Sequence, residues 1–316
     1  MIATREAYGN AVAKLGGVND KVVVLDADLA KATKTEVFKK AYPDRFFDMG
    51  IAEADMIGTA AGLATCGKIP FASSFAVFAT GRAYDQVRNS VAYPNLNVKI
   101  AATHAGITVG EDGATHQAIE DIALMRVLPN MTVINPCDEF ETEWAIFEAA
   151  KINGPVYIRL GRSKAQEVYN VDTSFELGKA KTVIDGDDVT VIATGSMVAE
   201  AVKAHNILKN DGISVRIIDM HTIKPLDKDV IIKAAKETRG IVTAEEHSVI
   251  GGLGGAVCEV VSEFCPTRVL RVGVNDKFGK SGSANELMRE YGLTAENIVE
   301  NVKRAMEVSY DGGYYA

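Results

Sequence analysis

Long apolar runs are missing from this 316-residue chain. No stretch approaches the ~18 uninterrupted apolar residues that a membrane span needs. The opening, MIATREAYGNAVAKLG, has charged and polar residues where a secretory signal would carry its apolar core, so a cytoplasmic location is the expectation. Cysteine is scarce as well. Cys66, Cys137, Cys258 and Cys265 are scattered, with no CxxC pair and no histidine at zinc-finger spacing. Reduced thiols in or near a core are therefore expected, rather than a metal or redox centre. Excess positive charge is absent too: 34 Lys and Arg face 42 Asp and Glu, a net charge of −8. That balance argues against nucleic acid or an anionic membrane surface as a partner. A small phosphorylated ligand stays compatible with it, because a local cationic pocket can oppose the overall sign.

What is present is the composition of a globular protein, 47% hydrophobic and 24% charged, long enough for two domains of roughly 150 residues. Short β-rich runs alternate with amphipathic stretches, the pattern of mostly parallel sheets covered by helices. Residues 21–25, 97–102, 131–134 and 155–160 read as buried strands, and 51–66, 81–92 and 138–151 as helices with Asp138 as an N-cap. After Arg162 the pattern lapses, then resumes with strands at 189–193, 213–218, 240–244 and 267–274 and helices at 197–209, 228–237 and 253–263. The expected fold class is α/β, two consecutive domains each with a mostly parallel sheet covered by helices: 1–165, a linker at 166–180, and 181–316.

In such sheets ligands bind at the carboxyl ends of strands, which selects four segments. DADL follows the first strand, Phe75 to Phe78 follow IPFASS, a loop spans 103–117, and arginines close the strand at 155–160. The 103–117 loop holds His104 and His116 with Glu111 and Asp112 between them, a mixture suited to proton transfer and hydroxyl recognition near neutral pH. A surface loop with idle histidines is the competing reading. Glu53 sits among small and apolar residues in GIAEADMIGTAAGLA. It is either buried with a dedicated partner or facing solvent near a helix start. Phe75 and Phe78 fit a core as readily as a stacking platform. GGLGG at 251–255 lacks the third glycine spacing and the downstream acid of a dinucleotide loop, so close helix–strand packing is expected there.

Taken together these segments resemble the C-terminal two-thirds of a transketolase over essentially the whole chain. His104 to Gln117, with GEDG, THQ and then AIEDIA, is the most specific stretch, and GIAEADM and PFASSFAVFATGRAYDQVR resemble the family's catalytic-glutamate helix and aromatic cofactor pocket. The resemblance implies a thiamine diphosphate-binding fold followed by a transketolase C-terminal-like domain. It implies that Glu53 bonds the far ring nitrogen of the cofactor's pyrimidine and promotes its imino form, that Phe75 and Phe78 pack on that ring, and that Asp28 lies near the cofactor. His104 and His116 are placed beside the reacting carbonyl and the sugar hydroxyls, with Asp112 on a hydroxyl. Arg162 is placed on the substrate phosphate, with Arg159 as second choice. Two departures stand out. Gly81 replaces an aromatic of the pocket, and Ala32 stands where a phosphate-binding serine occurs, leaving Lys31 or Thr33 as substitutes.

The diphosphate and Mg²⁺ of such enzymes are held by a GDG motif and a downstream asparagine, and this chain has no GDG. Since Met1 leads directly into a helix, the expectation is a separately encoded N-terminal transketolase subunit that carries the Mg²⁺ site, in an α2β2 heterotetramer. The expected activity is transfer of a two-carbon ketol unit from a ketose phosphate to an aldose phosphate, as in pentose phosphate metabolism. The alternatives are the beta subunit of a 2-oxo acid dehydrogenase and a non-catalytic subunit that keeps the fold.

Overall fold

A computed structural model of the chain describes residues 1–307. The end of the second expected domain, 308–316, lies outside the described residues. Two sheets form. The strands are β1 (Val22–Asp26), β2 (Phe46–Asp48), β3 (Ile69–Ser73), β4 (Lys99–Ala102), β5 (Thr132–Ile134) and β6 (Val156–Arg159), then β7 (Lys181–Ile184), β8 (Val189–Ala193), β9 (Val215–Asp219), β10 (Thr222–Lys224), β11 (Ile241–Ser248) and β12 (Val269–Val274). The first sheet has the order β10-β5-β6-β4-β3-β1-β2 and the second β12-β11-β8-β9-β7. All pairings are parallel except β10 with β5 and β7 with β9. The α/β class and the mostly parallel sheets are thus as expected. Strands β1, β3, β4, β6, β8 and β9 are buried at every position, which is why they read as continuous apolar runs rather than alternating ones.

Several features lay beyond the sequence pattern. β10 comes from the second series of strands yet completes the edge of the first sheet, so the two units share main-chain hydrogen bonds. The hydrophobic core crosses the same seam, joining Ile100 and Val133 to Ile192, Ile218 and Met220. The stretch expected as a helix over 81–92 starts earlier and is irregular. It consists of π-helical Phe78–Arg82, one turn at Tyr84–Gln86 and π-helical Val87–Ala92. Each π turn takes one residue more than an α turn; Arg82, the last residue of the first, lies over the ring of Phe78, its first. Asp138 does cap its helix, accepting the Glu141 N–H at 3.0 Å. GGLGG is a packing feature: the Leu253 and Gly254 N–H groups donate to the buried Glu245 carboxylate at 2.7 and 2.8 Å. The helix end that could have received a ligand's phosphate is filled by the chain's own anion. No helix among the described residues is long and apolar enough to cross a membrane.

Candidate active site

In the first sheet the strand order reverses direction between β1 and β3, and ligands collect outside strand ends at such a switch. Residues of interest follow immediately on the carboxyl ends of β1, β2, β3, β4 and β6. Glu53 is the first residue of the helix Glu53–Thr65 and only 4% exposed. Its Oε1 accepts a bond from Arg82 Nη1 at 3.1 Å. The same guanidinium lies over the ring of Phe78, 4.0 Å from its centroid. Phe75 and Phe78 stand nearly parallel, 5.8 Å apart at 11°. The ring of His104 stacks on Phe75 at 3.8 Å, and His116 meets Phe75 and Phe78 edge-on at 6.3 and 5.2 Å. Glu53, both phenyl rings and both loop histidines therefore form one contiguous cluster.

His104 holds a left-handed backbone (φ 57°) and is buried. Arg5 Nη1 lies 3.1 Å from its Nε2 and Thr103 Oγ1 2.9 Å from its Nδ1. Because a guanidinium can only donate, Nε2 accepts and Nδ1 carries the proton. Burial, then the nearby Arg5 and Arg162 charges, pushes its pKa down to about 3. His116 is half-buried, with Nδ1 2.9 Å from Thr115 Oγ1.

The loop is less free than its glycines suggest. Residues 103–110 are buried, and the buried Glu246 holds them, accepting the Thr108 N–H and hydroxyl at 2.8 Å each and the Ser196 hydroxyl at 2.7 Å. Gly106 passes directly against this carboxylate at φ 79° and ψ −171°, a conformation open essentially to glycine alone. Glu111 and Asp112 are exposed at the far end. There they face Arg162, whose Nη1 also donates to the Val109 carbonyl and lies 3.3 Å from Glu111 and 3.8 Å from Asp112.

Some sequence choices change. Arg159, the second choice for phosphate, is buried and paired with the buried Asp121 through Nε at 2.7 Å and Nη2 at 3.1 Å, so it serves the core. The Asp121 carboxylate raises the Arg159 pKa further, against its desolvation. Thr33, offered as a stand-in for the serine, is also buried. Its hydroxyl donates to Asp26 at 2.7 Å, while Ala32 offers a carbonyl to Arg5 at 3.0 Å. Lys31 is exposed. Asp28 is exposed with φ 60° and donates its N–H to Asp48 at 3.2 Å. It is Asp26 that fixes this loop, through Thr33, Thr35 and the Leu29 N–H. Arg5 and Arg82 were missed. Arg82 stands four residues after Phe78, a readable spacing on a helix, whereas nothing around Arg5 signals its contact with His104.

The first of two α/β units in series thus carries a buried carboxylate and an aromatic shelf at its strand ends. Comparison with known proteins supplies the class. The transketolase pyrimidine binding domain matches residues 1–167 and the transketolase C-terminal domain residues 178–298. The chain belongs to the transketolase family, whose cofactor is thiamine diphosphate. A protein of Methanocaldococcus jannaschii provisionally described as a transketolase C-terminal section is 53% identical over 306 residues, covering 96% of each chain. The 6-deoxy-6-sulfo-D-fructose transketolase subunit SqwH of Clostridium sp. (strain MSTE9) is 44% identical, covering 96% of this chain and 94% of its own. A solved structure described as a split gene transketolase, inactive beta4 tetramer, is 56% identical with a TM-score of 0.91, covering 97% of this chain and 99% of that one. Against longer relatives such as human transketolase the chain spans about half the length, 49% in that case.

Proposed function

We propose that this chain is the C-terminal subunit of a two-chain transketolase, with 1–165 as the pyrimidine-binding domain, 166–180 as linker and 181–316 as the C-terminal domain. Its reaction is transfer of a two-carbon ketol unit from a ketose phosphate to an aldose phosphate. The carrying observation is the cluster of Glu53, Phe75, Phe78, His104 and His116 on a chain of which relatives named as a section or subunit match 96%. The diphosphate and Mg²⁺ fall to an N-terminal partner subunit, in an α2β2 assembly, since no GDG is present here. The split-gene relative supports that division, because its beta4 tetramer is inactive. A cytoplasmic place in pentose phosphate metabolism belongs to the same proposal.

The residues fit an aminopyrimidine: a planar N–H-donating group, the Arg82 guanidinium, already lies between the Glu53 carboxylate and the Phe78 face. Thiamine diphosphate, when bound, would supply a nucleophilic thiazolium carbon for the ketose carbonyl. Glu53 would face the far nitrogen of the pyrimidine and exchange a proton with it, while Phe75 and Phe78 would carry the face of the ring and exclude water. Asp28 borders the cofactor side. His104, held neutral and fixed in one tautomer, orients the sugar with a polar edge. His116, not buried to that degree, is the better placed of the two to move a proton at the sugar hydroxyl. Asp112 accepts from a hydroxyl, and Arg162 holds the terminal anion once Glu111 and Asp112 yield.

The name of SqwH favours one variation, a ketose ending in sulfonate instead of phosphate, since either tetrahedral anion suits the Arg162 fork. The test is turnover by the purified chain with thiamine diphosphate and Mg²⁺, with and without the partner, using xylulose 5-phosphate and separately 6-deoxy-6-sulfofructose as donors and ribose 5-phosphate as acceptor. Activity with a phosphate donor only in the mixture is expected. Full turnover by the isolated chain contradicts the two-chain reading, and turnover of the sulfosugar alone replaces the phosphate donor.

A further inference from the structure

We propose that Arg82 is a displaceable guard on the pyrimidine slot: without cofactor its guanidinium takes the place, against Glu53 and Phe78, that the aminopyrimidine takes when bound. The inference rests on the cofactor reading above and adds a residue and a competition that the reading does not contain.

Geometry and chemistry agree on the competition. A guanidinium and an aminopyrimidine that has taken up a proton at its far ring nitrogen are both planar, both π-delocalised and both present an N–H on the edge toward the carboxylate. Each therefore suits a carboxylate on its edge and a phenyl ring on its face. One guanidinium now satisfies both contacts, bonding Glu53 Oε1 at 3.1 Å and covering Phe78 at 4.0 Å. A ring arriving at the same carboxylate and face has to move it.

The side chain built to move is Arg82. Glu53 is 4% exposed and set at the start of a regular helix, whereas the Arg82 side chain is 53% exposed, with Glu53 as its only ion-pair partner among the described residues. Arg82 ends a π-helical turn, and its neighbour Gly81 faces open space, with no atom within 4 Å of where a Cβ would be. The guard also has a reason to exist. A buried carboxylate without a counter-charge is strongly destabilising, and Arg82 supplies the counter-charge until a cofactor does. Its exposure to water keeps the pair weak enough to exchange.

A slot open for only a fraction of the time binds its ligand more weakly by that fraction. Replacing the guard should therefore tighten cofactor binding while weakening the cofactor-free chain, two changes of opposite sign that a merely structural arginine does not produce. The experiment is calorimetric titration of thiamine diphosphate, with Mg²⁺, into the assembled two-chain enzyme carrying wild-type, Arg82→Gln or Arg82→Lys, together with urea midpoints of each isolated chain. The expected result for Arg82→Gln is a Kd lowered by about three- to tenfold, in keeping with a partly exposed ion pair, and a lower urea midpoint. Arg82→Lys, which keeps the charge but loses the planar fork, should fall between and guards against a misfolded Gln variant. A wild type that binds, with both variants binding equally or more weakly, overturns the guard and leaves the cofactor reading intact. No binding by any of the three overturns both.

Discussion

At the scale of single residues, the cluster was legible where a side chain stood out against its neighbours. Glu53 amid small apolar residues and two histidines in one glycine-bearing loop both proved to lie in the cluster. The arginines were harder, because a sequence shows a charge but not its partner. Arg159 and Arg162 are three residues apart and read alike. One is locked to a buried aspartate and the other faces two exposed acids. The buried acids Glu141 and Asp219 gave no signal at all. Their carboxyls and the Cys137 thiol lie within 4.8 Å of one another. Glu141 Oε1 and Asp219 Oδ1 each lack a hydrogen-bond partner, which one proton held between the two carboxyls would supply. Burial raises the proton affinity of both, and the facing Asp219 charge adds to it at Glu141. Groups with raised folded values stabilise below the unfolded pKa, about 4 for carboxyls, and that stability is lost as pH rises through the folded values. The expected outcome is a urea midpoint that falls from pH 5 to pH 8 in wild type and falls less in Glu141→Gln, which keeps a donor and removes one of the two titrations. Parallel pH profiles would show that the pair does not share a proton.

Among the elements, the long buried strands and regular helices followed from periodicity, because burial on both faces writes continuous Val, Ile and Leu runs. β2 and β10, three residues each, are too short to carry a period. The π-helical region reads in the sequence as an ordinary helix from 81, since apolar spacing cannot report an extra residue in a turn. Glycines in the two site elements give a direct contrast. At Gly106 a Cβ would collide with the Glu246 carboxylate, which Thr108 and Ser196 hold in place, and the backbone is one that other residues avoid. Gly106→Ala should cost about 2 kcal/mol or more and loosen the histidine loop. Gly81→Ala meets nothing and should change stability by less than about 0.5 kcal/mol. Urea denaturation of the two variants side by side checks this, and a tolerated Gly106→Ala would mean that Glu246 does not anchor the loop.

For the whole molecule, two α/β units were visible in the sequence, but not that they share a sheet edge through β10 and a core across the seam. Pairing between distant strands depends on the space left at an edge, which no local pattern encodes. The site shows the same limit. The strand ends assemble Glu53, the phenyl shelf and the histidines, all from this chain, while the GDG motif that would hold a diphosphate is not in its sequence. The central claim is that this chain contributes the carboxylate that activates a cofactor bound jointly with a partner. Exchange of the thiazolium proton for deuterium, followed by quenched NMR on the assembled enzyme, measures that contribution without requiring a sugar. Glu53→Gln keeps the size and removes the shared proton, so the exchange rate should fall on the order of 10²-fold, with subunit assembly unchanged by mass. Exchange as fast as wild type in a fully assembled Glu53→Gln enzyme would contradict the account and assign activation to another group.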